Sequence, residues 1–176
     1  YDALCRLIDG LPSDILDTVN NDIPKDKNGT RKFPRNLSNN GYVNQAYITA
    51  LAKDDKLSFC ERHRKQFPNE VGIANVFVSW FLGTSLLTLK EALKQYLLDH
   101  KLPRDKTYFW ICDYCINQAD KTSVNDDLEF LEECVKFNRR TVVVVESLED
   151  AEVFTRIYCV SEIYYSQKHG CTLNIA

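Results

Sequence analysis

The sequence has no surplus of cationic residues: 22 Lys and Arg stand against 25 Asp and Glu, for a net charge of -3 at pH 7. That balance argues against holding nucleic acid by neutralising phosphates, which needs a clear basic excess, although a local basic patch is compatible with it. Nor does any stretch approach the ~18 apolar residues of a membrane span. The strongest one, Val142 to Val145, has the length of a strand. Neither nucleic acid nor membrane is therefore expected as a partner. No signal-peptide pattern stands at Tyr1, and the start reads as that of an excised or processed fragment. A Ser-His-Asp order, a P-loop, a dinucleotide-type glycine triplet and metal-ligand spacing are all missing, so no metal is expected. His63, His100 and His169 are isolated in the sequence and receive no role.

What is there suits an ordinary globular protein. With 176 residues, 44% hydrophobic and 27% charged, the chain can bury a real core as one domain, or one domain with an extension. Its seven cysteines are an odd number, and several lie inside apolar runs where a free thiol behaves as a small hydrophobe. This favours a reducing, intracellular and cytoplasmic setting. Cys112 and Cys115 form a C-x-x-C in or just past a strand-like run, without the second Cys/His pair of a zinc site. Redox pairs of this spacing open a helix, so buried structural cysteines are expected here. The sequons at Asn28 and Asn36 carry little weight, because such short motifs recur by chance.

Periodicity divides the chain near residue 75. Before it, Leu4, Leu7, Ile8, Leu11, Ile15, Leu16 and Val19 have near-helical spacing broken at Gly10 to Ser13, which predicts two short helices. Asn21 to Asn40 reads as a long polar loop. Gly41 to Phe67 is mixed and ends in Arg62-His63-Arg64-Lys65, expected to be a solvated helix face. Residues 1 to 74 are thus read as a mostly helical extension.

From residue 75 to 176 the pattern alternates. Val76 to Phe81 is a β-branched and aromatic run followed by Gly83-Thr84-Ser85, read as a strand and a turn. Leu86, Leu89, Leu93, Tyr96 and Leu97 then share a helical face, with Thr84 or Ser85 as cap and Pro103 as the stop. Thr107 to Ile116 reads as a second strand. A polar loop follows, then a helix with Asp126 and Asp127 in its first turn and Leu128, Leu131 and Val135 inward. Thr141 to Val145 is apolar throughout, as a central strand covered on both faces should be. A helix from Ile157 to about Lys168 and a fourth strand from Cys171 to Ile175 complete the series. This order predicts a parallel α/β sheet with right-handed crossovers. Its function should gather beyond the carboxyl ends of the strands: Trp80 to Thr84, Asp113 to Asp120, and Ser147 to Glu162.

At those ends the sequence resembles a known family. Phe154 to Ile163 (FTRIYCVSEI) resembles the TIR-domain segment in which an aromatic-Cys-x-x-Glu-Leu/Ile motif opens the helix after the third strand. Val76-Phe77-Val78-Ser79 with Gly83-Thr84 is similar to the family's first strand and loop. Tyr108 to Cys112 with Asn117-Gln118 resembles a TIR-like branch of microbial eukaryotes related to fungal heterokaryon-incompatibility domains. The resemblance covers residues 75 to 176. It departs from the family in three ways: Trp80-Phe81-Leu82-Gly83 stands where that branch often has His-Trp-Trp-Gly, the acid after the second strand is Asp113 with Cys112 in the usual Asp position, and a fifth strand with its last helix is lacking.

The resemblance implies a flavodoxin-like sheet and a signalling or defence role, with NAD or a related nucleotide as substrate, no cofactor and homotypic self-association. In NAD-cleaving TIR domains the glutamate matched by Glu162 is catalytic. Breaking the nicotinamide-ribose bond builds positive charge on the sugar, which a carboxylate beneath the ring can stabilise. The implied ligand-binding set is Ser79, Trp80, Phe81, Gly83, Thr84, Asp113 and Tyr158, with Trp80 and Phe81 against a flat ring and Gly83 and Thr84 near phosphate. Each has a plainer reading. Glu162 reads equally as a solvated or capping helix residue, Trp80 and Phe81 as core or interface, Asp113 as the cap of the second strand and Arg156 as a surface charge. A TIR-type adaptor without activity is the alternative function.

Overall fold

The computed structural model describes residues 1–15, 40–118, 124–147, 149 and 151–176. The two sequons, most of the expected polar loop and residues 119–123 lie outside the described residues.

Four parallel strands form one sheet in the order β2-β1-β3-β4: β1 Val76–Ser79, β2 Phe109–Trp110, β3 Arg140–Val143 and β4 Thr172–Ile175. The central position of β1 explains its sequence. It pairs Phe77 with Trp110 on one side and with Thr141 on the other, so both faces are covered and all four of its residues are buried. An order of 2-1-3-4 reverses direction between β1 and β3, the kind of switch point at which open α/β sheets bind ligands.

The pleat sends Val76 and Val78 to one face and Phe77 and Ser79 to the other. On the first face they join Leu86, Leu89, Leu93 and Tyr96 of helix α4 (Leu86–Asp99), the face expected from the spacing. Ser85 caps α4, its side chain accepting from the Leu87 backbone. The same cluster holds Leu4 and Leu7 of α1 (Asp2–Asp9) and Ile48 of α2 (Gly41–Asp55), so the helices before residue 75 contribute to the core of the sheet. On the second face Phe77 meets Leu131 and Val135 of α6 (Val124–Asn138), while Cys159 of α7 (Ile157–Lys168) packs with Val143. No helix among the described residues is long and apolar enough to cross a membrane.

Two expectations need correction. The second strand does not run from Thr107 to Ile116: it ends at Trp110 and turns into a single helical turn, α5 (Cys112–Cys115), in which the Tyr114 and Cys115 N–H groups both donate to the Ile111 carbonyl. These local bonds satisfy the backbone of the turn, so the chain leaves the ladder although Val78 and Ser79 of β1 continue past the Phe77–Trp110 pair. The basic run on α3 (Phe59–Gln66) is also not wholly solvated. His63 is buried between the rings of Phe59 and Phe67, and its Nε2 lies 2.9 Å from Glu70 Oε2. Phe59, His63 and Phe67 recur every fourth residue and so share one helix side.

Candidate functional site

Helix α7 turns a strip of Cys159, Glu162 and Ser166 toward the sheet, at i, i+3 and i+7. Ser166 fixes the lower end of the strip: its hydroxyl bonds the Glu162 carbonyl at 2.7 Å and lies 2.7 Å from Thr141 Oγ1 of β3. One turn higher, Glu162 meets the last residue of β1, and Ser79 Oγ donates to Glu162 Oε2 at 2.5 Å. Burial pushes the Glu162 carboxyl up to about 8, against the opposing effect of the Ser79 hydrogen bond and with a smaller push from Asp113.

Asp113 is the second acid. The α5 turn carries it inward, where Trp80 Nε1 donates to its Oδ2 at 3.1 Å and Gln45 Nε2 to its Oδ1 at 3.0 Å. Gln45 Nε2 also reaches Gln118 Oε1 at 3.1 Å. Burial raises the Asp113 carboxyl to about 6, the Trp80 and Gln45 hydrogen bonds and the nearby Arg156 charge working the other way. Two buried carboxyls that ionise above their ordinary range, in one cleft, are the kind of arrangement that active sites use.

Both acids line a cavity of about 510 Å³ at the carboxyl ends of β1 and β2. Tyr42, Trp80, Trp110, Phe130 and Tyr158 give its walls five aromatic side chains, and Arg156 is the one cation among the described lining residues. Arg156 precedes α7. Its Nη1 donates to the Tyr42 hydroxyl, and its guanidinium lies 5.7 Å from the centres of the Tyr42 and Phe81 rings. The volume lies in the range of small-molecule sites.

Of the residues expected from the sequence, Glu162, Trp80, Asp113 and Tyr158 line this cavity together, and Ser79 stands behind Glu162 as its hydrogen-bond donor. Phe81, Gly83 and Thr84 are not brought to it. The Phe81 ring folds over Gly83, where a Cβ would lie 2.1 Å from it. Phe81 and Thr84 instead line a separate cavity of about 140 Å³ beside Val144 and Glu146.

Tyr42 and Gln45 have no counterpart among the expected residues. They arrive because α2 begins against the loop after β1: Tyr42 N–H donates to the Leu82 carbonyl at 3.0 Å and Gly41 N–H to the Thr84 carbonyl at 3.3 Å. Gly41 permits this approach, since a Cβ there would lie 2.5 Å from the Trp80 ring and 2.7 Å from the Leu82 carbonyl oxygen. A glycine just after Asn40, which caps α2 by accepting from Val43 N–H, was the available signal. Nothing in the spacing connects it to Trp80.

Comparison of the chain with protein-family models, with curated proteins and with solved structures finds no match.

Proposed function

We propose that the chain is a TIR-like, flavodoxin-like domain that cleaves NAD to nicotinamide and ADP-ribose, or cyclises the ADP-ribose, with Glu162 as its catalytic residue. The observation that carries the reading is Glu162 itself: a buried carboxyl, held by Ser79, on the wall of an aromatic cavity at the carboxyl ends of the strands.

The chemistry fits the surroundings. The nicotinamide ring of NAD carries a positive charge, and a cation brought beside Glu162 favours its ionised form. Binding of the substrate thereby produces the carboxylate that the oxocarbenium-like transition state requires. A single carboxylate suffices, because nicotinamide departs neutral and takes no proton. Trp80 and Tyr158 offer faces for the flat rings, Asp113 with Gln45 offers acceptor and donor groups for ribose hydroxyls or the carboxamide, and Arg156 offers positive charge to the diphosphate. The experiment is nicotinamide release from NAD by the wild type beside Glu162→Gln, over a range of protein concentrations.

A different observation favours the adaptor reading, in which the domain works by associating with a second copy. Ile157, Val160 and Tyr164 lie at i, i+3 and i+7 on the outer side of α7 and are 72%, 45% and 59% exposed. Because Glu162 is on the same helix, association through this side also reaches the cleft in the catalytic reading. Val160→Asp separates the two. It abolishes concentration-dependent association in both, but changes nicotinamide release only if the chain is an enzyme.

A further inference from the structure

Cys60 and Cys115 are 55 positions apart in the chain, yet their Sγ atoms lie 3.8 Å apart. Cys60 is in the first turn of α3 and Cys115 ends the single turn of α5. Neither is in a disulfide. Both are partly accessible and line a cavity of about 160 Å³, several times the ~30 Å³ that a water molecule occupies in the liquid. A small oxidant has room to reach them.

The contact is asymmetric. The hydrogen bond with Cys60 holds the Cys115 thiol below its ordinary value, while the same contact, followed by burial, pushes the Cys60 thiol up. Either sulfur can donate in this contact, and the lowered Cys115 thiol has the greater thiolate character, which makes a sulfur nucleophilic. Cys112, Cys134, Cys159 and Cys171 all have thiols raised chiefly by burial. They are poorer nucleophiles for the same reason.

We propose that Cys60 and Cys115 are a redox modification site, closing to a reversible intramolecular disulfide when the protein meets a peroxide. The Cys115 thiol gives up its proton and its sulfur attacks one oxygen of hydrogen peroxide; the O–O bond breaks, and the departing hydroxide takes that proton and leaves as water, giving a sulfenic acid. The Cys60 sulfur then attacks the Cys115 sulfur. The S–O bond breaks, and the second hydroxide takes the Cys60 proton and leaves as water. Two thiols and one peroxide thus become one disulfide and two waters, with two electrons passing from sulfur to oxygen.

Closure has a consequence for the cleft. A disulfide needs its sulfurs ~2.0 Å apart, so closure from 3.8 Å repositions both side chains and ties the α5 turn covalently to α3. Asp113 is two residues before Cys115 on α5 and is held there by Trp80 and Gln45. Oxidation therefore acts on the same turn that positions the second acid.

The test is peptide mapping of the full chain after a short hydrogen peroxide treatment. Trypsin leaves Cys60 in the peptide of residues 57 to 62, and Cys112 and Cys115 together in that of residues 107 to 121. The expected product joins these peptides through Cys115, as fragmentation at Asp113 or Tyr114 reveals, and it disappears on treatment with dithiothreitol. Cys112→Ser keeps the link, whereas Cys60→Ser loses it and leaves Cys115 as a sulfenic acid that a dimedone probe captures. The two tryptophans of the chain, Trp80 and Trp110, both line the cleft, so their emission shifts on oxidation of the wild type and not of Cys60→Ser. Linkage through Cys112, a link between two molecules, or Cys115 passing to sulfinic acid while Cys60 stays free overturns the proposal. All these readouts are independent of any activity on NAD.

Discussion

Ser79 and Glu162 are joined by a 2.5 Å hydrogen bond across 83 positions of sequence, the end of the central strand donating to the second turn of the helix that covers it. The bond is buried and favours the ionised carboxyl, while the burial around it favours the protonated one. Replacing Ser79 with Ala leaves burial unopposed. Its expected effect is a rise of the Glu162 ionisation above about 8 and a loss of about tenfold in kcat/KM at neutral pH, one unit of ionisation being about tenfold. The pH dependence of nicotinamide release by the variant is the measurement.

The pH profile of the wild type carries its own expectation. In the free protein Glu162 ionises at about 8, so kcat/KM should rise with pH and level off above that value. Once the cationic nicotinamide ring is bound, the carboxylate is favoured, and the corresponding rise in kcat should occur at lower pH. A kcat profile no more acidic than that of kcat/KM contradicts the role given to substrate charge.

Stability should depend on pH through the same group. The Glu162 carboxyl ionises near 4.5 when unperturbed and at about 8 in the fold. Below about 4.5 it is protonated in both states and nothing is lost. Between the two values the folded chain keeps a proton that the unfolded chain has released, so rising pH favours unfolding, and above about 8 the loss is complete. Asp113, raised from 3.8 to about 6, adds to the decline in the lower part of the window. Glu162→Gln should therefore flatten the fall in unfolding free energy between about pH 5 and 8, an effect on the order of a few kcal/mol by urea titration.

The α/β core was legible because parallel strands buried on both faces carry continuous apolar runs. Val76-Phe77-Val78 and Thr141 to Val145 have no other comfortable home. The inner face of α4 followed from Leu86, Leu89, Leu93 and Tyr96 in the same way. The turn of α5 was not legible, since Tyr108 to Ile116 is as apolar and aromatic as a strand and what ends it is a pair of backbone bonds to the Ile111 carbonyl that no side-chain pattern announces. Asp113 thus enters the cleft from a helical turn, not from a strand end. Part of the cleft's polar shell was also hidden, because Tyr42 and Gln45 come from a segment whose approach depends on one missing Cβ.

That missing Cβ gives a direct test. Gly41→Ala places a methyl group 2.5 Å from the Trp80 ring and within 2.9 Å of Leu82 backbone atoms, which cannot move aside as a flexible side chain does. The expected cost is about 1 to 3 kcal/mol, read by urea unfolding, with a change in tryptophan emission as Trp80 shifts.

Gln45→Leu removes one of the two side-chain donors to Asp113 without opening space. If the Gln45 and Asp113 pair contacts ligand, KM for NAD should rise by about tenfold, in keeping with ~1.5 kcal/mol for a hydrogen bond to a charged group, with a smaller change in kcat. An unchanged KM would assign Gln45 a purely structural part.

The central claim is that Glu162 breaks the nicotinamide-ribose bond. Nicotinamide release from NAD should be measurable with the wild type and rise with protein concentration, and Glu162→Gln, which keeps the size and burial of the side chain, should abolish it. Release undiminished in Glu162→Gln, or no release from the wild type at any concentration, would contradict the account.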